Sequence, residues 1–441
     1  MASFSQKPSS QVSAGPKIPW QVRDTSESTA AELEEEKEDR ALRGELGEWD
    51  SWRTDPSGPG PGDWAIQWRD GLRIGRRDGK TGALFGGELM LDGGVYYRDS
   101  GLRSKGSGWG AKAEARRARL FAQGLVLDSF FFKVAYDIPE KEFKDVYFGV
   151  RDLGPIRTLA LGQLKEPFSL ENETSLRNQP FLERSLPTAL APSRNLGLLA
   201  SGVLFDARLR WALGAFVLDD SRRQEDQATR GYEEDPEVAF RISGLPIWRD
   251  EGRTLFLLGA SFSHAFVDED EQLSLAASPE TKLVKPLIGT GTFDDVTAID
   301  RVGLEVAAVR GPFWLQAEWI ATRSKRDAGS LDFWGGSVRV GWFFTGEHRR
   351  YGRASGVFGR VVPLRPFSWK ERRFGAFEIA GRVSYLDLDD GDIRGGREFN
   401  VTAGLNWYLR AHLRVGLNWV HAHVHGRGGL DVVQARLQID I

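Results

Sequence analysis

Seven basic side chains stand at alternate positions inside apolar runs, and they are the groups in this sequence best suited to chemistry with an anion. Arg210 lies between Leu209 and Trp211, Arg241 between Phe240 and Ile242, Arg339 between Val338 and Val340, and Lys133 between Phe132 and Val134. Arg382, Arg414 and Arg436 follow the same rule. A guanidinium offers a planar, weakly hydrated fork that pairs with oxyanions through two parallel hydrogen bonds and keeps its charge at ordinary pH. A wall of such groups around an enclosed aqueous bore would favour anions. The alternative is that they pair with Glu318, Glu378 and Asp440 in the same wall and leave the bore unselective.

The elements that must position these groups are strands, because the polar–apolar period is two. In the last segment Val433, Ala435, Leu437, Ile439 and Ile441 share one face, and Gln434, Arg436, Gln438 and Asp440 share the other. Leu413, Val415, Leu417 and Trp419 likewise oppose Arg414, Gly416 and Asn418, and Phe313, Leu315, Ala317 and Trp319 oppose Gln316 and Glu318. Slipping any register by one residue would turn these charges into lipid at about 2–4 kcal/mol each near the midplane, so the parity is strongly biased. An aromatic-rich apolar face opposite an arginine-bearing one fits a closed transmembrane barrel better than a soluble sandwich.

Sixteen such segments are predicted, near 84–98, 112–123, 129–138, 145–152, 158–164, 200–205, 208–217, 236–243, 254–266, 298–309, 313–323, 335–345, 375–386, 399–409, 413–425 and 432–441. The fold class is therefore all-β, a 16-stranded antiparallel transmembrane barrel with both ends of the chain on one side. Connections after even-numbered strands are mostly short, as at 206–207, 310–312 and 410–412, and the long ones at 165–199 and 267–297 follow odd-numbered strands. The stretch 346–373 is long on the short-turn side and leaves room for a further hairpin.

Composition agrees. The 441 residues include 51 Gly, 15 Trp and 26 Phe but 2 Met and no Cys, and no apolar run reaches the roughly 18 residues of a spanning helix. The net charge of −3 conceals an asymmetry, with cations inside strands and acidic residues clustered at 219–220, 233–235, 268–271 and 387–392. Residues 1–63, rich in Ser, Pro, Gly and charge, read as a flexible N-terminal periplasmic arm, and 64–441 as the barrel. The first residues carry neither a basic n-region nor an apolar h-region, so the chain is expected to be a processed form or to have its true start elsewhere.

Hydrolase, nucleotide-binding and zinc-protease motifs are absent, and Ser261, Ser263 and His264 are too close along one strand to converge as a triad. No enzymatic activity, cofactor, bound metal or nucleic-acid partner is expected. His421, His423 and His425 share a face but continue the outward row after Trp419, which favours the lipid headgroup level over a metal site. Trp314, Trp319, Trp342, Trp407 and Trp419 are expected in interfacial girdles.

Several separated stretches carry a family resemblance. Gly162–Glu171 (GQLKEPFSLE), Phe181–Pro187 (FLERSLP) and Ala191–Asn195 (APSRN) resemble the phosphate-selective porin O and P family. So do Gly341–Arg349, Phe374–Arg382, Gly404–Leu409 and the stretch from Arg73 to Tyr97, so that the resemblance spans about 70–441. It implies a homotrimeric outer-membrane channel in contact with lipid, passing small inorganic anions such as phosphate, with the loop after strand five folded inward as a constriction. In that loop Lys165, Arg177, Arg184 and Arg194 are the basic residues available to the pore, with Arg184 and Arg194 alternatively anchors to the wall through Glu171, Glu183 or carbonyls. Two departures stand out: the chain ends in Ile441 where such strands usually end in Phe, and acidic outer loops would repel an arriving anion.

Overall fold

Strands with lipid-compatible side chains at every second position can satisfy their backbone only through neighbouring strands, and in hydrocarbon only if the sheet has no edge. The computed structural model describes residues 60–68, 71–103, 108–219 and 233–441, leaving aside the side chains of 219, 233, 234 and 268–271. The expected arm lies outside the described residues except for its last four.

A hairpin of β1 (Trp64–Trp68) and β2 (Leu72–Arg76) precedes β3 (Gly82–Arg98), β4 (Trp109–Val126), β5 (Phe130–Asp137), β6 (Glu142–Leu153) and β7 (Ile156–Lys165). Then follow β8 (Arg194–Leu204), β9 (Leu209–Asp219), β10 (Glu233–Arg249), β11 (Thr254–Ala277), β12 (Ile288–Arg310), β13 (Phe313–Arg326) and β14 (Leu331–Phe343). Two short strands, β15 (Tyr351–Gly352) and β16 (Val357–Phe358), pair with each other. The chain ends with β17 (Ala376–Asp390), β18 (Ile393–Arg410), β19 (Leu413–Val424) and β20 (Gly428–Asp440).

The sixteen long strands each pair antiparallel with their chain neighbours, and β20 closes the ring on β3 from Leu430↔Arg98 to Asp440↔Glu88. Gly87 and Ile441 exchange backbone hydrogen bonds of 2.7 and 2.8 Å at the seam. Below it, β2 takes up the start of β3, pairing Leu72 with Phe85, so the barrel proper begins at Gly82 and β1–β2 is a hairpin added to its rim.

All sixteen predicted segments are strands, but several are longer than their apolar stretch. The β11–β12 hairpin runs to Ala277 and Ile288, so most of the expected 267–297 loop is sheet, and β8 starts at Arg194 rather than 200. Beyond the hydrocarbon belt both strand faces meet water, so the apolar alternation stops while the backbone ladder continues. The long stretch on the short-turn side does hold a hairpin, formed by β15 and β16.

Parity is as expected: on β14, Val338, Val340 and Trp342 are 40–48 % exposed while Arg339 between them is 1 % exposed. One expectation fails. Trp314 is not in a girdle but points inward at 3 % exposure, its indole N–H donating to Glu378 Oε1 at 2.8 Å. Its even position on β13, between the outward Phe313 and Leu315, puts it on the polar side; Trp319, Trp342 and Trp419 are exposed on the outer face.

Candidate functional site

An inward Arg in an empty bore would be bathed in water, yet Arg241, Arg339, Arg382, Arg414 and Arg436 are all buried. Three connections cover them. Segment 166–193, after the fifth barrel strand, carries a one-turn helix α1 (Leu170–Glu173) and buries Phe168, Leu170, Leu176, Phe181, Leu182, Leu186 and Leu190. Ser169 caps the turn, its Oγ accepting from Asn172 N at 3.1 Å and donating to Glu318 at 2.5 Å. Inward glycines make the seats: a Cβ at Gly416 would come within 2.7 Å of Leu182, and one at Gly303 within 3.1 Å of Phe168.

The second connection is the tip 278–287 of the β11–β12 hairpin. Its Glu280, held at φ +56°, takes Arg382 at 2.5 Å and Ser384 Oγ at 2.5 Å, and accepts from Thr402 Oγ1. The third is the β15–β16 hairpin, entering from the short-turn end. There the Arg349 guanidinium lies 4.6 Å from the Trp314 ring and 4.0 Å from Phe358. The hairpin meets segment 166–193 where Asn178 Nδ2 donates to Phe358 O at 3.4 Å.

These segments decide what each predicted cation does. Arg339 pairs with Glu171 at 2.8 Å and Glu318 at 3.3 Å, and Arg241 with Glu305 at 2.6 Å. Arg436 is bidentate to Asp92 at 2.6 and 2.7 Å and reaches Glu183 at 2.6 Å. Arg414 donates to Gln179 O at 2.6 Å, Pro180 O at 2.9 Å and Asn406 Oδ1 at 2.6 Å. With Arg382 on Glu280 and Arg241 also donating to Gly356 O at 3.1 Å, these five strand arginines hold the inserted segments, and none of them lines the cavity beside segment 166–193.

That cavity, of about 320 Å³, lies against β4–β9 and is bounded by segment 166–193 and the 354–357 turn. It is lined by the other six predicted cations: Lys133, Lys165, Arg177, Arg184, Arg194 and Arg210. Its walls run from Glu140 and Lys144, beside one long-loop-end turn, to Arg157, Val203 and Arg210, beside the short turns at the other end.

Five further basic residues complete the lining, and sequence reasoning missed them: Arg116, Arg117, Arg119, Lys144 and Arg157. Bulges explain three. The register shifts between Met90↔Arg117 and Leu91↔Ala115, so Arg116 is the extra residue and both consecutive arginines turn inward. The β5–β6 ladder shifts between Ala135↔Asp145 and Tyr136↔Phe143, with Lys144 as its extra residue. A strict two-residue count cannot place side chains at a bulge; the run Arg116-Arg117-Ala118-Arg119 was the available signal.

Eleven basic lining residues face four acidic ones, Glu88, Glu140, Asp145 and Glu173. Some cancel: Arg194 and Lys133 share Asp145 at 2.8 and 3.1 Å, Arg117 takes Glu88 at 3.0 Å, and Arg116 takes Glu183 at 2.8 Å. Others do not. Lys165 Nζ donates to the carbonyls of Asn172 at 2.5 Å and Glu173 at 3.2 Å, and Arg210 to the carbonyl of Ala354 at 3.2 Å. Arg184 donates to the carbonyls of Glu171, Asn172 and Thr174 at 3.3–3.4 Å. A carbonyl orients a cation without neutralising it, so the Arg184 and Arg210 guanidinium groups leave positive charge in the cavity. Burial, then Arg117 nearby, pulls the Arg184 guanidinium down to about 10, which keeps it charged at neutral pH. Burial pushes the Glu183 carboxyl up, but Arg116 and Arg436 outweigh it and hold the group below the ordinary range.

The outward histidines lie apart from this. His421 Nδ1 sits 3.0 Å from Asp431 on the outer face, and no group of three potential metal ligands occurs among the described residues.

A protein of Caulobacter vibrioides described as uncharacterized is 27 % identical over 402 residues, 87 % of this chain and 79 % of that one. Porin O of Pseudomonas aeruginosa is 23 % identical over 403 residues, 82 % of this chain and 87 % of its own. Among solved structures, the outer membrane channel DcaP of Acinetobacter baumannii superposes with a TM-score of 0.51 at 12 % identity, over 82 % of this chain and 97 % of its own. An anion-selective porin from Comamonas acidovorans gives 0.50 at 10 % identity, over 82 % and 100 %. A sequence model of the phosphate-selective porin O and P family matches residues 86–441, the whole closed barrel but its first few residues; this chain belongs to that family and is an outer-membrane protein.

Proposed function

We propose that the chain is a diffusion channel for small anions, phosphate or related oxyanions, and that the β4–β9 side of the barrel is the conducting path. The observation that carries this is the lining of that cavity, eleven basic residues against four acidic, with Lys165, Arg184 and Arg210 held by carbonyls rather than carboxylates. In this reading segment 166–193 is the constriction, and an ion passes along charge-assisted hydrogen bonds that attract it and release it. The names of the relatives, Porin O and an anion-selective porin, support the substrate class. A homotrimer is the assembly that the family resemblance implies.

A second reading, an unselective channel, is favoured by the pairing of Arg241, Arg339, Arg382 and Arg436 with carboxylates. Zero-current potential in a KCl gradient across a planar bilayer separates the two. Anion preference that falls in Lys165→Ala and Arg210→Ala supports the proposal; cation preference ends it.

A further inference from the structure

The barrel's outer face carries a dent with a chemistry of its own. The register aligns outward residues in rows across β12, β13, β14, β17 and β18. One row near the short-turn end is Arg310, Phe313, Trp342, Ile379 and Leu405; the next one inward is Ala308, Leu315, Val340, Gly381 and Ala403. In the second row Gly381 and Ala403 are adjacent and small, flanked by Val340 and, on β19, by Trp419. A Cβ placed on Gly381 would meet nothing within 4 Å. The resulting groove is a shallow, open trough with a volume of about 780 Å³, and its walls are almost wholly apolar.

Two observations say what fits. Along the short-turn rim runs an aromatic ladder: Phe313 stacks on Trp342 at 5.6 Å, Phe344 on Phe377 at 5.5 Å, and Phe377 on Trp407 at 5.8 Å. Such belts mark the headgroup level of a bilayer, so the groove lies just inside the hydrocarbon of the periplasmic leaflet. At the level of the belt, paired across from Phe313, stands Arg310. It is exposed, and its side chain forms no hydrogen bond or ion pair among the described residues, although it lies at the edge of an apolar surface. A cation there, with an apolar trough leading away from it, is complementary to one amphiphile. We propose that this groove is a specific site for an anionic glycerophospholipid of the periplasmic leaflet, its phosphate on Arg310 and an acyl chain along Val340, Gly381 and Ala403.

The site depends on outer-membrane insertion, not on anion conduction. Native mass spectrometry of the detergent-purified barrel, titrated with phosphatidylglycerol or zwitterionic phosphatidylcholine, tests it. Phosphatidylglycerol should be retained preferentially at one molecule per chain. Arg310→Gln should weaken that retention about tenfold, the scale of one charge-assisted contact, and leave phosphatidylcholine unaffected. Gly381→Leu should abolish retention of both lipids, while heat-modifiable electrophoretic mobility and single-channel conductance show the barrel intact. Equal retention by wild type and both variants overturns the site. So does disulfide coupling of two Ala403→Cys barrels in native membranes, which would mean that a second copy covers the groove.

Discussion

Replacing Glu171 by Ala removes the most heavily used carboxylate of segment 166–193. It accepts from Ser185 N at 3.1 Å, Ser185 Oγ at 2.5 Å and Arg339 at 2.8 Å, with Arg382 at 3.7 Å. Truncating one member of a buried, hydrogen-bonded ion pair costs about 3–5 kcal/mol, because the partner charge stays in a low dielectric. Here both partners keep some compensation: Arg339 retains Glu318 at 3.3 Å and Gln179 at 3.0 Å, and Arg382 retains Glu280 at 2.5 Å. The lower bound therefore applies, about 3 kcal/mol, or on the order of a hundredfold shift in the balance between docked and undocked segment. In planar bilayers the variant should show excursions to a larger conductance level, and a protease added from the outer side should cut between 166 and 193. A variant with wild-type conductance, low open-channel noise and a protected segment would refute the view that ion pairing holds this insert in the lumen.

Acid should act on the same contacts, late. Glu171 and Glu183 are held below the ordinary carboxylate range by their guanidinium partners, against burial that pushes them up. A depressed folded-state value means the docking stability is fully present above about 4.5 and is lost only as pH falls through the depressed values. Larger-conductance openings that depend on Glu171 and Glu183 should then appear only below about pH 4.5; a transition above 4.5 that disappears in Glu171→Gln contradicts this. Glu280→Ala should lower the unfolding temperature in heat-modifiability gels, by about 3–5 kcal/mol of stability, since Arg382 loses its 2.5 Å partner. Glu280→Gly should recover about 1 kcal/mol of that loss, because residue 280 sits at φ +56°; equal stability of the two variants would argue against backbone strain there.

What sequence alone determined was whatever depends on two solvents meeting a pleated ribbon. Period-two patterning located all sixteen barrel strands, turned Arg241, Arg339, Arg382, Arg414 and Arg436 inward, and placed the long loop after the fifth strand, because a one-residue slip puts charges in hydrocarbon. Only the tertiary structure decided which inward cations keep an uncancelled charge. That depends on contacts between residues far apart in the chain, such as Glu280 on Arg382 and Glu171 on Arg339, and no local pattern encodes them. It also depends on bulges: Arg116 and Lys144 reach the lumen because the ladder skips one residue beside each, and an alternation count has no means to see a skipped residue. Strand parity is a local property of the backbone. Charge inside the barrel is a property of everything folded into it.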